Sequence, residues 1–277
     1  LLQIIPEYDA IILRGRTKMT AEVIAAAKNL KVIGRMGVGV DNIDLNAAKA
    51  HNVTVVNAAV ATTLAVAELA IGMMFALVRE IPRADASLKA GQWLKKEFNG
   101  MELFGKTLGV VGFGNIGQVV SRYASALGMQ VLAFDPFRDA MYMHERGVEA
   151  VSLDGLLARA DVITIHTPLT DQNRHQFDDA CFSRMKDGVL IVDAARGGII
   201  DEEALLRALE SGKVRGAALD VYEKEPPVSF DLIKHPKVVA TPHIGAQTAE
   251  AQLRAAEDIS NEVLNALNGL PLRWKIC

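Results

Sequence analysis

A chain of 277 residues has room for two domains, each with its own hydrophobic core. Half of the residues are apolar, 5% are aromatic and 23% are charged, which suits an alanine-rich α/β protein. The formal charge of −3, from 30 basic and 33 acidic residues, gives no footprint for nucleic acid or for an anionic membrane.

Leu1 to Pro6 read as the end of a helix. Residues 9–13 form a continuous apolar strand, Thr20 is an N-cap for a helix over 21–29, and 31–33 is the next strand. Residues 42–50 read as helix and 53–56 as strand, ending at Asn57. Strand, helix, strand, helix, strand predicts a small parallel sheet. A long helix over 63–80 follows, interrupted or kinked by Pro82. Its apolar run 64–78 contains Glu68 and is shorter than the roughly 20 residues that span a bilayer, so it reads as a buried helix at a domain or subunit boundary. From Lys106 a second βα series begins. Its strands are expected at 106–111, 130–134, 149–151, 161–165, 189–193, 217–221 and 238–241. Its helices are expected at 115–127, 153–159 and 202–210, the last capped by Asp201. A closing helix over 248–268 stops at Gly269. Two doubly wound parallel-sheet domains result: residues 1–60 with 247–277, and residues 61–246. Cys181 and Cys277 lie far apart without metal-ligand spacing, so no metal site is expected, and reduced thiols point to a cytoplasmic setting.

The second series opens on Gly112, Gly114 and Gly117, spaced GxGxxG between a strand and a helix. Gly112 makes the tight turn, Gly114 leaves backbone bare for a pyrophosphate, and Gly117 lets helix pack on strand; the helix N-terminus, at Asn115 and Ile116, offers free N–H groups. Asp135, eighteen residues after Gly117 at the end of the next strand, accepts hydrogen bonds from both hydroxyls of an unphosphorylated ribose. NAD is therefore expected over NADP, although Arg138 lies close by.

Ligands of doubly wound sheets sit off the carboxyl ends of the strands. There the sequence carries His166, Arg196, Glu223, Glu225 and His243. Hydride transfer from an alcohol to a nicotinamide needs a base for the hydroxyl proton, a carboxylate to orient that base, and a cation for a substrate carboxylate. Arg196, between Ala195 and two glycines, suits the clamp. From pattern alone His166 competes with His243 as base, and Glu223 with Glu225 as orienter. The remaining histidines, His51, His144, His175 and His235, read as surface residues.

The segments around Arg196 (194–201), Glu225 (220–227) and His243 (241–248), with the glycine turn, resemble the signature segments of the D-isomer-specific 2-hydroxyacid dehydrogenases. Segments 34–44 and 57–68 extend the likeness into the first domain. Residues 86–109, and the run into Glu225-Pro226-Pro227, look most like the phosphoglycerate-oxidising branch of that family. The resemblance implies a Rossmann NAD-binding domain and a smaller flavodoxin-like substrate domain. It implies a catalytic set of Arg196, Glu225 and His243, with His166 in the cofactor wall. It further implies cofactor contacts at Val38, Asn115, Ile116, Asp135, Thr167, Pro168, Ala194, Asp220, His243, Gly245 and Ala246. Three departures stand out: the first βα unit of the family's substrate domain, about 30 residues or more, is not in the sequence, nor is the regulatory domain of some members. Ala59 and Ala65 also replace an expected proline and serine.

Arg14, Arg16, Lys18 and Arg35 cluster at strand ends of the first domain, beside the turn Gly37-Val38-Gly39 with its exposed N–H groups. Arginines suit a phosphorylated acid, and the resemblance assigns Arg14 and Arg35 to the substrate phosphate. NAD-dependent oxidation of 3-phospho-D-glycerate, in serine synthesis, is the expected activity. The alternatives are a glyoxylate or hydroxypyruvate reductase, or another D-2-hydroxyacid dehydrogenase, and a non-catalytic NAD-sensing regulator. The apolar 64–78 helix suggests a homo-oligomer, a dimer or larger.

Overall fold

The computed structural model describes residues 1–277, which fold as two compact units: residues 1–65 with 246–277, and residues 66–245. The crossings thus fall at 65/66 and 245/246, against an expectation of 60/61 and 246/247. In chain order the elements are β1 (Ala10–Leu13), α1 (Ala21–Ala26), β2 (Val32–Arg35), α2 (Leu45–Ala50), β3 (Thr54–Asn57), α3 (Thr63–Val78) and α4 (Ile81–Lys89). They continue with β4 (Thr107–Val111), α5 (Asn115–Ala126), β5 (Gln130–Phe134), α6 (Ala140–His144), β6 (Glu149–Ala150), α7 (Leu153–Arg159) and β7 (Val162–Ile165). The last are α8 (Asp179–Ser183), β8 (Val189–Asp193), α9 (Glu202–Glu210), β9 (Val214–Leu219), β10 (Val238–Ala240) and α10 (Ala249–Leu267).

In the smaller unit β1, β2 and β3 lie side by side, all parallel, so that Leu13, Arg35 and Asn57 come level at one edge. One face packs Leu13, Ile33 and Val55 against Val23 and Ile24 of α1; the other packs Val32 and Val56 against Ile259 and Val263 of α10. Thr20 and Thr248 cap α1 and α10 by accepting from Val23 N and Ala251 N. The C-terminal residues run antiparallel to β3: Val55 N donates to the Cys277 carbonyl and Ile276 N to the Val55 carbonyl. The buried Glu262 carboxylate accepts from Arg273 N and Trp274 N and holds that segment down.

The larger unit is a seven-stranded parallel sheet in the order β10-β9-β8-β7-β4-β5-β6. The order reverses between β4 and β7, the kind of switch point where such sheets bind ligands. Helices cover both faces, which is why every residue of β7 and β8 is buried and all but Thr164 and Asp193 are apolar. On α3, Ala67, Ala70, Met73, Met74, Leu77 and Val78 fall at helical spacing and join the core with Leu108, Val110 and Phe113.

Several expectations are corrected in detail. The helix expected over 63–80 ends at Val78, Glu80 turns left-handed at φ 51°, and a separate helix, α4, starts at Ile81 with Pro82 in its first turn. Proline lacks the N–H needed inside a helix but suits its start. α1 stops at Ala26 instead of residue 29. β9 begins at Val214 and ends at Leu219, because Asp220 is drawn away into a loop. Residues 1–7 form a turn and a short 3-10 helix, Ile5–Glu7, with Pro6 in it, in place of the end of an α-helix. No helix is long and apolar enough to cross a membrane.

Candidate active site

Because the seven strands are parallel, the segments following β4, β5, β7, β8, β9 and β10 emerge on one edge of the sheet. After β4 the chain turns at Gly112, φ 93°, where a Cβ would lie 2.7 Å from the His166 carbonyl oxygen. A Cβ on Gly117 would lie 2.1 Å from the Gly112 carbonyl oxygen, whereas nothing stands within 4 Å of that position at Gly114. Only glycine satisfies the first two, and the third leaves bare backbone with space before it. Gly114 begins α5 without any side-chain cap, so the first-turn N–H groups at Asn115, Ile116 and Gly117 keep their capacity to bind an anion. Asp135 is held against this turn: its two oxygens accept from Phe113 N and Phe137 N, each at 2.8 Å. A carboxylate oxygen has a second lone pair, so both can still accept from hydroxyls. Arg138 stacks over the Tyr142 ring at 5.1 Å. Tight turn, bare backbone, uncapped helix and oriented carboxylate together fit an adenine dinucleotide without a 2′-phosphate. Thr167 and Pro168 follow β7 and Ala194 follows β8 at the same edge. Val38 and Ala246 belong to the smaller unit.

β8 ends in Asp193, a buried residue whose carboxylate accepts from the N–H groups of Ala195, at 2.8 Å, and Arg196. This fixes the turn that presents Arg196, whose Nη1 donates to the Ala195 carbonyl at 2.7 Å. The next residue must be glycine: a Cβ on Gly197 would sit 1.8 Å from the Tyr222 carbonyl oxygen. The Arg196 turn therefore presses on the loop that carries Glu225. Tyr222 ties that loop down, donating its hydroxyl to the Thr241 carbonyl at 2.9 Å and its N–H to Glu225 Oε1 at 3.2 Å.

Glu225 Oε2 lies 2.7 Å from His243 Nδ1. His243 adopts φ 53°, a left-handed conformation that costs a non-glycine residue on the order of 1–3 kcal/mol. Asp220, 1% exposed, enforces it by accepting from Thr241 Oγ1, Ile244 N and Gly245 N. The hydrogen bond to Glu225 outweighs burial and raises the imidazole pKa above its ordinary value. On Glu225, burial pushes upward, but the bond and charge of His243, the Tyr222 N–H and the Arg196 guanidinium together bring its pKa below the usual carboxylate value.

The two ambiguities in the sequence separate here. His166 bonds Thr164 Oγ1 through Nε2 while its Nδ1 is buried without a partner, and burial lowers its pKa to about 3. A ring so hard to protonate is a poor proton acceptor at neutral pH. Glu223 is engaged elsewhere, 2.9 Å from His175 Nε2, with its N–H donated to Glu202. His175 is exposed, as expected of a surface residue, and forms a second glutamate–histidine pair there.

In the smaller unit, Arg14, Arg35 and the turn Gly37-Val38-Gly39 come together at the carboxyl ends of β1 and β2. Arg14 donates to Gln252 Oε1, and Arg35 Nη1 to the Met36 carbonyl. Gly37, φ 141°, makes room for Arg35: a Cβ there would lie 2.2 Å from the guanidinium. Asn57 steadies the turn, donating to the Val38 carbonyl at 2.7 Å.

Residues 71–245 match the family model described as D-isomer specific 2-hydroxyacid dehydrogenase, NAD binding domain. The chain belongs to this family. D-3-phosphoglycerate dehydrogenase of Archaeoglobus fulgidus is 52% identical over 274 residues, covering 99% of this chain and 52% of that protein. Hydroxypyruvate reductase of Thermotoga maritima is 49% identical over 270 residues, 96% of this chain and 87% of that protein. Among solved structures, a glyoxylate reductase from Paecilomyes thermophila superposes with a TM-score of 0.91 at 36% identity, covering 98% of this chain and 85% of its own. The chain spans about half the length of several of the curated relatives that it matches.

Within this family member, Asp193, Asn57 and Gln252 were not singled out from the sequence. Asp193 had a visible signal, a carboxylate ending an apolar strand just before Arg196. Asn57 and Gln252 had none, because their partners are distant backbone and side-chain atoms.

Proposed function

We propose that this chain is the catalytic portion of an NAD-dependent dehydrogenase that oxidises 3-phospho-D-glycerate to 3-phosphohydroxypyruvate, a step of serine synthesis. When bound, NAD supplies the hydride acceptor. His243 takes the hydroxyl proton at Nε2: Nδ1 donates its hydrogen to Glu225, which leaves the lone pair on the other nitrogen. Glu225 orients the ring and stabilises the imidazolium once formed. Arg196 binds the substrate carboxylate and polarises the neighbouring C–O bond as it acquires carbonyl character. Asp220 keeps His243 in its strained conformation. Asp135 accepts from the ribose hydroxyls, and the Gly112–Gly117 turn receives the pyrophosphate. Arg14, Arg35 and the N–H groups at Gly37, Val38 and Gly39 meet the anionic groups of the acid.

The observation that carries this reading is the 2.7 Å Glu225–His243 pair beside the Arg196 turn, at the same sheet edge as the glycine turn. Reduction of hydroxypyruvate is the second reading, favoured by the T. maritima relative, which this chain matches over 87% of that protein's length. NADH formation with 3-phosphoglycerate, D-glycerate and D-lactate side by side decides between them. The proposal expects the phosphorylated acid to be oxidised with the highest kcat/KM. Equal rates on the two unphosphorylated acids, with none on 3-phosphoglycerate, would remove the substrate assignment and favour the reductase.

A further inference from the structure

Asp193 is a buried acid outside the Arg–Glu–His set, at the last position of β8 and three residues from Arg196. Its carboxylate is turned back onto its own loop, where it accepts from Ala195 N and Arg196 N. Behind the loop lies a cavity of about 10 Å³ bordered by Asp193, Gly197, Gly198 and Glu202. That volume holds no more than one water, so the loop itself must solvate the charge. The other titratable groups at this edge are committed. Asp220 beyond β9 binds the His243 loop, Glu202 at the start of α9 accepts from Glu223 N, and His166 after β7 bonds Thr164. Arg196 is the cation beside Asp193.

We propose that Asp193 is a positioning residue for Arg196: as an anion, and only as an anion, it holds the Arg196 turn in the geometry that receives a substrate carboxylate. This deepens, and rests on, the assignment of Arg196 as the carboxylate clamp. Two N–H donors converging on one carboxylate fix the backbone of the turn, and the negative charge draws the guanidinium toward it. Protonation weakens both. Burial pushes the Asp193 carboxyl up to about 7, against the opposing pull of the Ala195 and Arg196 N–H groups and the guanidinium, while Asp220 adds to the rise. The hold on Arg196 therefore weakens as pH falls from about 8 to 6.

The test compares the wild type with Asp193→Asn, which keeps the shape and one acceptor but cannot ionise. Steady-state KM for 3-phosphoglycerate is measured from pH 6 to 8 in both proteins; His243 titrates in both, so its effect divides out of the ratio. The ratio of variant to wild-type KM is expected to be about tenfold at pH 8 and to fall toward one at pH 6, the span a single titrating group allows. A ratio that does not change with pH would mean a merely structural role and overturn the proposal. A second arm needs no activity: thermal midpoints of the two proteins from pH 5 to 8. A raised carboxyl pKa favours the folded state at low pH and loses that advantage as pH rises through it. The variant's midpoint relative to the wild type should therefore climb with pH, and a constant difference would also overturn the proposal. Dehydrogenase activity missing from both proteins would count against the proposed function, leaving the unfolding arm to decide whether Asp193 titrates as described.

Discussion

At the scale of single residues, the site is built from carboxylates that each do one geometric task. Asp220 gathers the His243 loop, Asp193 shapes the Arg196 turn, Asp135 lies along the glycine turn, and Glu225 holds the imidazole. The Glu225–His243 bond also carries a pH consequence. The imidazole pKa is raised; with His243 as the proposed base, it must lose its proton at a higher pH before it can accept one from substrate, and oxidation is expected to weaken as pH falls through that raised value. In Glu225→Gln only burial and the remaining neighbours act on the ring. The acid limb of the kcat/KM profile should then move to lower pH, with kcat itself reduced; a limb that stays in place would show that Glu225 does not set the titration. His166 offers no such behaviour, since burial keeps it neutral throughout the neutral range.

At the scale of elements, long periodic segments were legible and short ones were not. The β4–α5–β5 unit follows from its glycine turn between two apolar strands, and α9 from its Asp201 cap and apolar spacing; α7 was placed correctly, and its Ser152 cap came only with the structure. α6 and α8 are five residues each, too short for helical periodicity to register; only their aspartate caps, Asp139 and Asp178, mark them. The start of β9 was hidden by Arg215 and Gly216, which break the apolar run although the backbone continues the ladder. At the site, residue types and their strand-end positions narrowed the choice, but which glutamate pairs with which histidine depends on tertiary contacts. The difference lies in long-range pairing, 18 residues for Glu225–His243 and 48 for His175–Glu223, which local spacing does not encode. The buried stripe of α3 gives an element-scale expectation. Met74, fully enclosed in the core of the larger unit, should cost about 2–5 kcal/mol when replaced by alanine. Chemical denaturation of Met74→Ala measures this, and a loss under about 0.5 kcal/mol, typical of surface sites, would contradict the packing described.

At the scale of the whole molecule, the opposite side of the same helical region gives the next expectation. Phe75 on α3 and Ile81 and Leu88 on α4 are exposed and line one open groove of about 510 Å³. We propose that this exposed apolar surface is where copies of the chain associate. Sedimentation equilibrium is expected to return at least twice the 29.9 kDa chain mass; a single-chain mass at micromolar concentration would remove the dimer from the account. The family assignment rests on residues 71–245 and on relatives near 50% identity, and the smaller unit brings its arginines and glycine turn to the ends of its own parallel strands. Turnover remains the decisive property. The most direct measurement is kcat of His243→Ala with NAD and saturating 3-phosphoglycerate, alongside NAD affinity by fluorescence titration. Loss of general base help predicts a fall in kcat by a factor of about 10²–10⁴, with NAD affinity changed far less. A kcat within a few-fold of the wild type would contradict the account.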